Sequence, residues 1–562
     1  MKKKSRILLI VALILSLTIT ACGKTTNEGE KQPEKQLEKQ TEKQTQTPVE
    51  QKNEVIEVST VSASDQYLKF DEGESFEKNS VYDAYEKDIG VKLTNKWVSA
   101  DDVQFKEKVK MSIASNDLPD FMKVNATQLK ELTEADMIMG ITDVYDKNAT
   151  DETKKFLSMD GGMQLKTATF DGKLMGIPSS YNPYQYQFLY VRTDWLKKLN
   201  LPEPKTMADL LTIAEAFKTK DPGGTGKPYG IVISKDPFNN QSTAVTGLIA
   251  FLNSYHAYEN LWMEDGNGNL VNSDIQPQVK DALKALQEMF KKGLIDPEFV
   301  VKDVEKSAEL LYNNNAGIVY GQSWVPAQLA KGAVKDGKVV QEWGVFPIPS
   351  VDSEPALSQI GLGVDEYYVI SKQAKHPEGV IKLLNHWIVV DNHPTPEQKV
   401  YEYGKDLKEK GNNYWLLSPL RVGKQKDNNG EILPKAIENK DESILETKDQ
   451  KTRYERAMKY VDGTDINMWW EYLISGPKGA YSLIPEIQNN KQYLQNKFYG
   501  APTPTMADRQ EILKKKRDEV YFKIMMNQVS VDEFDKFVEE WKKLGGDEMT
   551  KEVNEWYATN KQ

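Results

Sequence analysis

The sequence predicts an α/β protein built as two lobes, and three observations carry that prediction. The first is the order of the opening elements. Residues 55–61 alternate as a strand, 76–89 carry apolar side chains at helical spacing, 91–98 read as a second strand and 105–114 as a second helix. Asp117-Leu118-Pro119-Asp120-Phe121 then turns into a buried strand. A β-α-β-α-β order implies a mainly parallel sheet with helices on its faces. The second is length: the part able to fold runs from about Val55 to Gln562, too long for one hydrophobic core. The third is the stretch from Phe170 to Leu199, which reads as a junction between lobes.

In that stretch Asp171-Gly172 is a hairpin turn signal. Residues 175–178 read as a short strand ended by Pro178, which cannot donate to a ladder. Tyr181, Tyr184 and Tyr186 follow in a polar, turn-prone setting, and 187–192 read as a second strand rich in aromatic and β-branched residues. Thr193 or Asp194 is placed to cap a helix carrying Trp195, Leu196 and Leu199. A strand that leaves one lobe, passes aromatics and opens the next suits a hinge, where ligand capture and lobe closure are coupled. The alternative is a core strand pair with three incidental tyrosines.

The N-terminus has its own logic. Lys2, Lys3, Lys4 and Arg6 form a basic region ahead of an apolar run, Ile7 to Ile19, of 13 residues. That run is too short to span a bilayer and suits a signal peptide. Ile19-Thr20-Ala21-Cys22 resembles a bacterial lipobox, so residues 1–21 are expected to be removed and Cys22 to carry lipid. Cys22 is the only cysteine, so no internal disulfide holds the secreted fold. Residues 22–54 follow as a charged tether repeating Glu-Lys-Gln-x from Glu30 to Gln44. With Leu37 its one large apolar side chain in that repeat, nothing offsets the entropy of ordering it. As a flexible coil it reaches about 30 Å r.m.s.. Loss of the signal's four cations takes the formal net charge from −11 to −15. An acidic body argues against nucleic acid and against broad binding to anionic lipid.

Further along, parallel-sheet geometry puts ligands at strand carboxyl ends, which makes residues 62–66, Trp97 and Asp120 candidate contacts; Asp120 equally suits a turn former. Thr206 opens a helix with Asp209 in its first turn. Asp221-Pro222-Gly223-Gly224-Thr225-Gly226 reads as a plain turn, and Asp265-Gly266-Asn267-Gly268-Asn269 as a hairpin. Residues 277–291 form an amphipathic helix with Val279, Leu283, Leu286 and Phe290 on one face. Residues 316–320 are a short buried strand running into Gly321-Gln322-Ser323-Trp324, and Trp324 reads as facing a cleft. Residues 390–460 are polar and irregular, with Trp415 among them as a candidate contact. Asn467-Met468-Trp469-Trp470-Glu471-Tyr472 is the densest aromatic cluster; helical neighbours point about 100° apart, so one tryptophan is expected in the core and one exposed. Residues 509–557 are strongly helical.

The junction stretch resembles the crossover of family 1 extracellular solute-binding proteins, the receptors of carbohydrate-type ABC importers. So do Asp117-Leu118-Pro119-Asp120-Phe121, Lys292-Gly293-Leu294-Ile295-Asp296-Pro297-Glu298-Phe299, and the end from Val531-Asp532-Glu533-Phe534 to Trp541-Lys542-Lys543-Leu544-Gly545-Gly546. Gly361 to Ile370 is similar to the family's return strand. The resemblance spans roughly Val55 to the C-terminus. It implies a two-lobed periplasmic-binding-protein-like fold of type II, each lobe a mixed sheet flanked by helices with a hinge between them. Residues 55–180 would be the first segment of lobe one and 181–355 mainly lobe two. Residues 356–562 would supply a return strand, an irregular insert and C-terminal helices shared by both. It also implies a monomeric, lipid-anchored receptor on the outer face of a cell membrane, of Gram-positive type, delivering a sugar or oligosaccharide to an ABC permease with a separate ATPase. Some members of that family hold calcium at an EF-hand-like loop; the 221 and 265 loops depart from that pattern. The expected cleft wall is Trp324, Trp469 and Trp470 with Tyr181, Tyr184 and Glu366, since sugar ring faces stack on aromatics and hydroxyls take side-chain acceptors.

Catalysis finds little footing. His256, His376, His386 and His393 have no metal-ligand spacing, and no nucleophile elbow or Walker loop is present, so neither metal nor cofactor is expected. The rival readings are a secreted polysaccharide-degrading enzyme using paired carboxylates, and the same receptor fold binding peptide or another solute.

Overall fold

The computed structural model describes residues 55–238, 245–392, 401 and 412–561. The signal, Cys22 and tether readings, and His393, lie outside the described residues.

The opening elements form where the periodicity puts them. Strand Ile56–Ala63 pairs in parallel with strand Val91–Ser99 across helix Ser80–Ile89. Asn79 caps that helix by accepting from the Tyr82 N–H, and Gly90 closes it in the left-handed region. Helix Asp102–Ala114, capped by Asp101, leads to strand Phe121–Asn125. The lobe is not mainly parallel: the parallel pair is separate from the larger first sheet, which has three strands and is antiparallel. The return strand Val364–Ile370 lies between Phe121–Asn125 and Ile177–Ser180 and is antiparallel to both. Pro178 sits inside its strand, contrary to the reading that it ends one; the strand is at the sheet edge, where a missing N–H is tolerated.

The second sheet is centred on Gln187–Arg192, flanked by Ile318–Gln322 and Trp343–Phe346, both antiparallel to it. All six residues of the central strand are buried. Leu189 and Val191 face one hydrophobic cluster, Phe188 and Tyr190 another. Burial on both faces explains a strand that reads as continuously apolar rather than alternating. The helix after it, Thr193–Leu199, has no side-chain cap. Asp194 instead holds the Arg192 guanidinium in a two-pronged contact at 2.8 and 2.7 Å, while Arg192 lies over the Trp195 ring.

The local turn readings hold. Asp171 (φ 48°) and Gly172 (φ 74°) join the two short strands Thr169–Phe170 and Lys173–Leu174. Thr206 and Asp209 form a capping box at helix Met207–Lys220. Strands Trp262–Glu264 and Leu270–Asn272 make the 265 hairpin. Residues 390–460 are less irregular than they read. Helices Asn429–Asn439 and Lys448–Val461 occupy much of the described part, and the apolar stripe they bury in one small cluster is narrow: Leu433, Ala436, Ile437, Tyr454 and Ala457. A stripe that thin leaves the sequence looking polar.

The C-terminal helices Pro504–Met525, Glu533–Trp541 and Asp547–Asn560 pack on the same cluster as Leu189, Trp195 and Leu283. Buried Arg517 fastens the first of them. Its guanidinium meets Glu259 at 2.5 Å, Asp274 at 3.1 Å and Asp518 at 2.7 Å. Burial pushes the Glu259 carboxyl up from its ordinary value, and Arg517 pulls it back down.

Among the described residues the chain passes three times between the hydrophobic cluster around the first sheet and the clusters on the second-sheet side, and the three passages touch. The first is 181–186, between Ile177–Ser180 and Gln187–Arg192. The second is 361–363, between strand Ser358–Ile360 and the return strand. The third, 423–428, precedes helix Asn429–Asn439. Tyr181 N–H donates to the Gly363 carbonyl at 2.8 Å, and Gly423 N–H donates to the Ser180 carbonyl at 2.6 Å. Fully buried Gln164 and Gln425 bond to each other, and Gln164 also donates to the Tyr181 carbonyl. Gly363 has φ +77°, and a Cβ there would lie 2.2 Å from Gln164 Nε2 and 2.6 Å from the Tyr181 oxygen.

Gly363→Ala is therefore expected to destabilise the protein by about 3 kcal/mol or more, combining left-handed strain with overlap in a packed site. Gly266→Ala, at φ +78° with nothing within 4 Å, should cost only about 1–2 kcal/mol. Urea melts of both variants test this; equal losses would remove the packing argument at the passages.

Candidate functional site

Strand direction decides where a site can lie. Strands Ile56–Ala63, Phe121–Asn125 and Ile177–Ser180 end on the side of the first sheet where the chain leaves for the second. In the second sheet Gln322 pairs with Gln187, so strand Ile318–Gln322 ends beside the first residue after that passage. In each sheet the two outer strands thus end at the passages while the central strand begins there, and carboxyl ends of strands are where ligands lie in open α/β sheets.

On the first-sheet side there is a cleft of about 160 Å³ lined by Ser62, Ser64, Asp65, Lys123, Tyr368 and Arg421, among others. Residues 62–65 come from the end of strand Ile56–Ala63, as the parallel-sheet argument expects. Lys123 pairs with Glu366 at 2.6 Å, which puts that candidate at the cleft through its partner. Tyr368 Oη accepts from the Arg421 N–H at 2.9 Å and donates to the Arg421 carbonyl at 3.1 Å. The Arg421 guanidinium sits 5.2 Å from the centroid of the exposed Trp415 ring. Arg421 is missed by sequence reasoning; a single arginine in a polar stretch carries no periodic signal.

On the second-sheet side Trp324 is 38% exposed, and its indole N–H donates to Gln322 Oε1 at 2.9 Å. That bond satisfies the N–H in the plane of the ring and does not use a ring face, and part of the side chain is exposed. Of the tyrosines at the first passage, Tyr181 is exposed, Tyr184 half-buried and Tyr186 buried. Burial and the neighbouring Asp365 hold the Tyr181 hydroxyl well above the usual phenol range, so it is a neutral donor. Tyr184 and Tyr186 pack with Tyr493, at 5.6 and 6.2 Å between ring centroids. Tyr493, also missed in the sequence, belongs to strand Tyr493–Gln495, which pairs with Ser358–Ile360 beside the second passage.

Four candidates sit elsewhere. Asp120 precedes the amino end of its strand, the end away from the crevice, and its carboxylate takes both the Ser59 N–H and hydroxyl at 2.7 Å. Trp97 packs on Phe105 with its N–H on Ser112, so Phe105 is the cleft wall there and Trp97 lies behind it. Trp469 is 5% exposed in the cluster with Tyr190 and Trp343, while Trp470 is half-buried against it. Beside them Glu471 is fully buried, held by Ser475 at 2.6 Å and Arg453 at 3.1 Å. Its carboxylate joins two helices.

No metal-capable group of three or more His, Cys, Asp or Glu side chains occurs among the described residues. His256 bonds Asp352 and His376 bonds Glu378. His386 packs edge-on to Tyr85 and Tyr401, and burial lowers its pKa. The Asp221 carboxylate accepts the Thr225 and Gly226 N–H groups, closing the turn on itself.

Trp469→Ala is expected to lower the stability of the empty protein by about 3–5 kcal/mol, and Trp324→Ala to change it by less than about 1 kcal/mol. Melting both variants without ligand checks this; the reverse order would misassign core and cleft.

Three comparisons bear on identity. The family model described as "Bacterial extracellular solute-binding protein" matches residues 70–388. The chain is 26% identical over 403 residues to the polygalacturonan/rhamnogalacturonan-binding protein YtcQ of Bacillus subtilis, covering 70% of this chain and 72% of that one. It is 23% identical over 499 residues to the lipoprotein LipO of the same organism, covering 86% and 90%. Among solved structures, an extracellular solute-binding protein from Bifidobacterium longum subsp. infantis aligns with a TM-score of 0.60 at 16% identity, covering 90% of this chain and 99% of that one. The two-sheet architecture with its three touching passages and the family match over more than half its length agree: the chain belongs to the bacterial extracellular solute-binding proteins.

Proposed function

We propose that this protein is a receptor that captures an oligosaccharide between its two lobes and passes it to an ABC transporter whose permease and ATPase are separate chains. The observation that carries this is a pair of exposed tryptophans, Trp415 and Trp324, one on each side of the passages. Exposed aromatic faces and convergent polar groups suit a sugar, whose ring faces are apolar and whose edge is hydroxylated. A relative named for binding polygalacturonan and rhamnogalacturonan supports the same reading. Tyr181, Tyr184 and the Lys123–Glu366 pair would complete the polar wall. The family consists of solute-binding receptors, which supports release of the bound sugar intact.

Capture works through the passages. A ligand that touches both lobes binds the closed state better than the open one and shifts the population towards it. The closed surface is then what the permease reads. The lobes would divide near residues 180, 355 and 425, where the chain crosses. Lipid on Cys22 and a tether through residue 54 would hold the body outside the membrane.

Oligosaccharide should raise the stability of the mature chain by about 2.7 kcal/mol at a hundredfold excess over Kd. A thermal-shift panel of oligosaccharides, peptides and other small solutes checks it; a response to peptides alone would overturn the sugar reading. Trp324→Ala should weaken sugar binding by about 1–3 kcal/mol in a calorimetric titration.

Cys22→Ser should release the protein into the medium, read by fractionating cells; unchanged membrane retention would remove the anchor.

A further inference from the structure

We infer that the solute carries a carboxylate, as in a uronate-containing oligosaccharide, and that Arg421 is the side chain that selects it; this rests on the receptor reading above. The starting point is a comparison among arginines. Arg192, Arg453, Arg456, Arg509 and Arg517 each have a carboxylate within 4.0 Å. Arg421 is the remaining described arginine, and among the described residues no carboxylate pairs with it. This is a chain with 84 acidic residues against 73 basic ones, where an unpaired guanidinium is the less expected state. Among the described residues, the one arginine without an acid is the one that lines the cleft.

Its placement is built. The backbone is clamped by Tyr368 through two hydrogen bonds. The guanidinium lies 5.2 Å from the Trp415 ring centroid, and Trp415 is itself 43% exposed. Stacking orders the guanidinium without using its N–H groups, whose fork matches a carboxylate with two parallel bonds. The other charges in the cleft are already engaged. Lys123 is bound to Glu366, Asp65 accepts the Tyr67 N–H, and Asp102 lies 3.6 Å from Lys106. Trp415 then offers the rest of its face to the sugar ring that bears the acid, so the two side chains read one residue of the ligand together.

The test titrates the mature protein, Arg421→Gln and Arg421→Lys with di- to tetrameric galacturonates, glucuronates and mannuronates, and with the same sugars after carboxyl reduction. The unaltered protein should bind at least one acidic sugar more tightly than its reduced form. Arg421→Gln should weaken that acidic sugar roughly 10- to 100-fold while changing neutral sugars less than about threefold. Arg421→Lys should recover only part of the loss, because an ammonium is not a planar fork. Melting each variant without ligand verifies folding. Preference for the reduced sugars, or an equal loss for acidic and neutral sugars in Arg421→Gln, overturns the inference and leaves the sugar receptor standing. Binding of no sugar, with binding of a peptide, overturns both.

Discussion

The structure depends on three chain segments sharing one small volume. Ser180 ends the edge strand of the first sheet, and its carbonyl takes Gly423 while the next N–H reaches Gly363. Glycine is needed at 363 because the space for a Cβ is filled by Gln164 and the Tyr181 carbonyl. Buried amides are tolerable there because they satisfy one another: Gln164 and Gln425 bond across the junction and to backbone carbonyls. Two lobes joined at one place by three segments would swing about it, and in each sheet the two outer strands end there.

Rigidity on either side makes such a swing useful. The second lobe gains it from a strand buried on both faces and from charges tied inside it. Arg517 holds Glu259 and Asp274, and Glu471 holds Arg453. Pairs like these add little net stability over apolar residues of the same shape, but breaking one leaves an uncompensated buried charge. They fix which helix faces which: Arg517 belongs to Pro504–Met525, and its partners lie far back in the chain beside the 262–272 hairpin. The first lobe uses a shorter device, the Ser59–Asp120 contact between neighbouring strands.

The proposed crevice would be unequal. The first-lobe cleft carries charge and hydroxyls around a stacked arginine, and the second-lobe side would offer an indole braced by its own glutamine. Aromatic faces bind many sugars about equally well, so stacking supplies affinity with little selectivity. Selectivity falls to groups that lose a partner when the wrong ligand binds.

Much of the fold was legible in the sequence. The elements of the first lobe, the Asp171-Gly172 turn, the Thr206–Asp209 capping box and the 277–291 helix follow from local periodicity and turn chemistry. Those signals say which face of an element is apolar and where it stops. The site was legible only in part. Residues 62–65, Tyr181 and Trp324 came from strand ends and composition; 62–65 line the first-lobe cleft, and Tyr181 and Trp324 are exposed. The sequence by itself determined the elements, the two-lobe plan and the family resemblance. Tertiary structure alone decided that the return strand runs antiparallel, that Asp120 sits at the wrong end of its strand, that Trp469 is buried while Trp470 is half-exposed, and that Arg421 has no acidic partner among the described residues. The reason is physical: periodicity encodes one element's own faces, whereas pairing, burial and an unmet charge are set by residues hundreds of positions away.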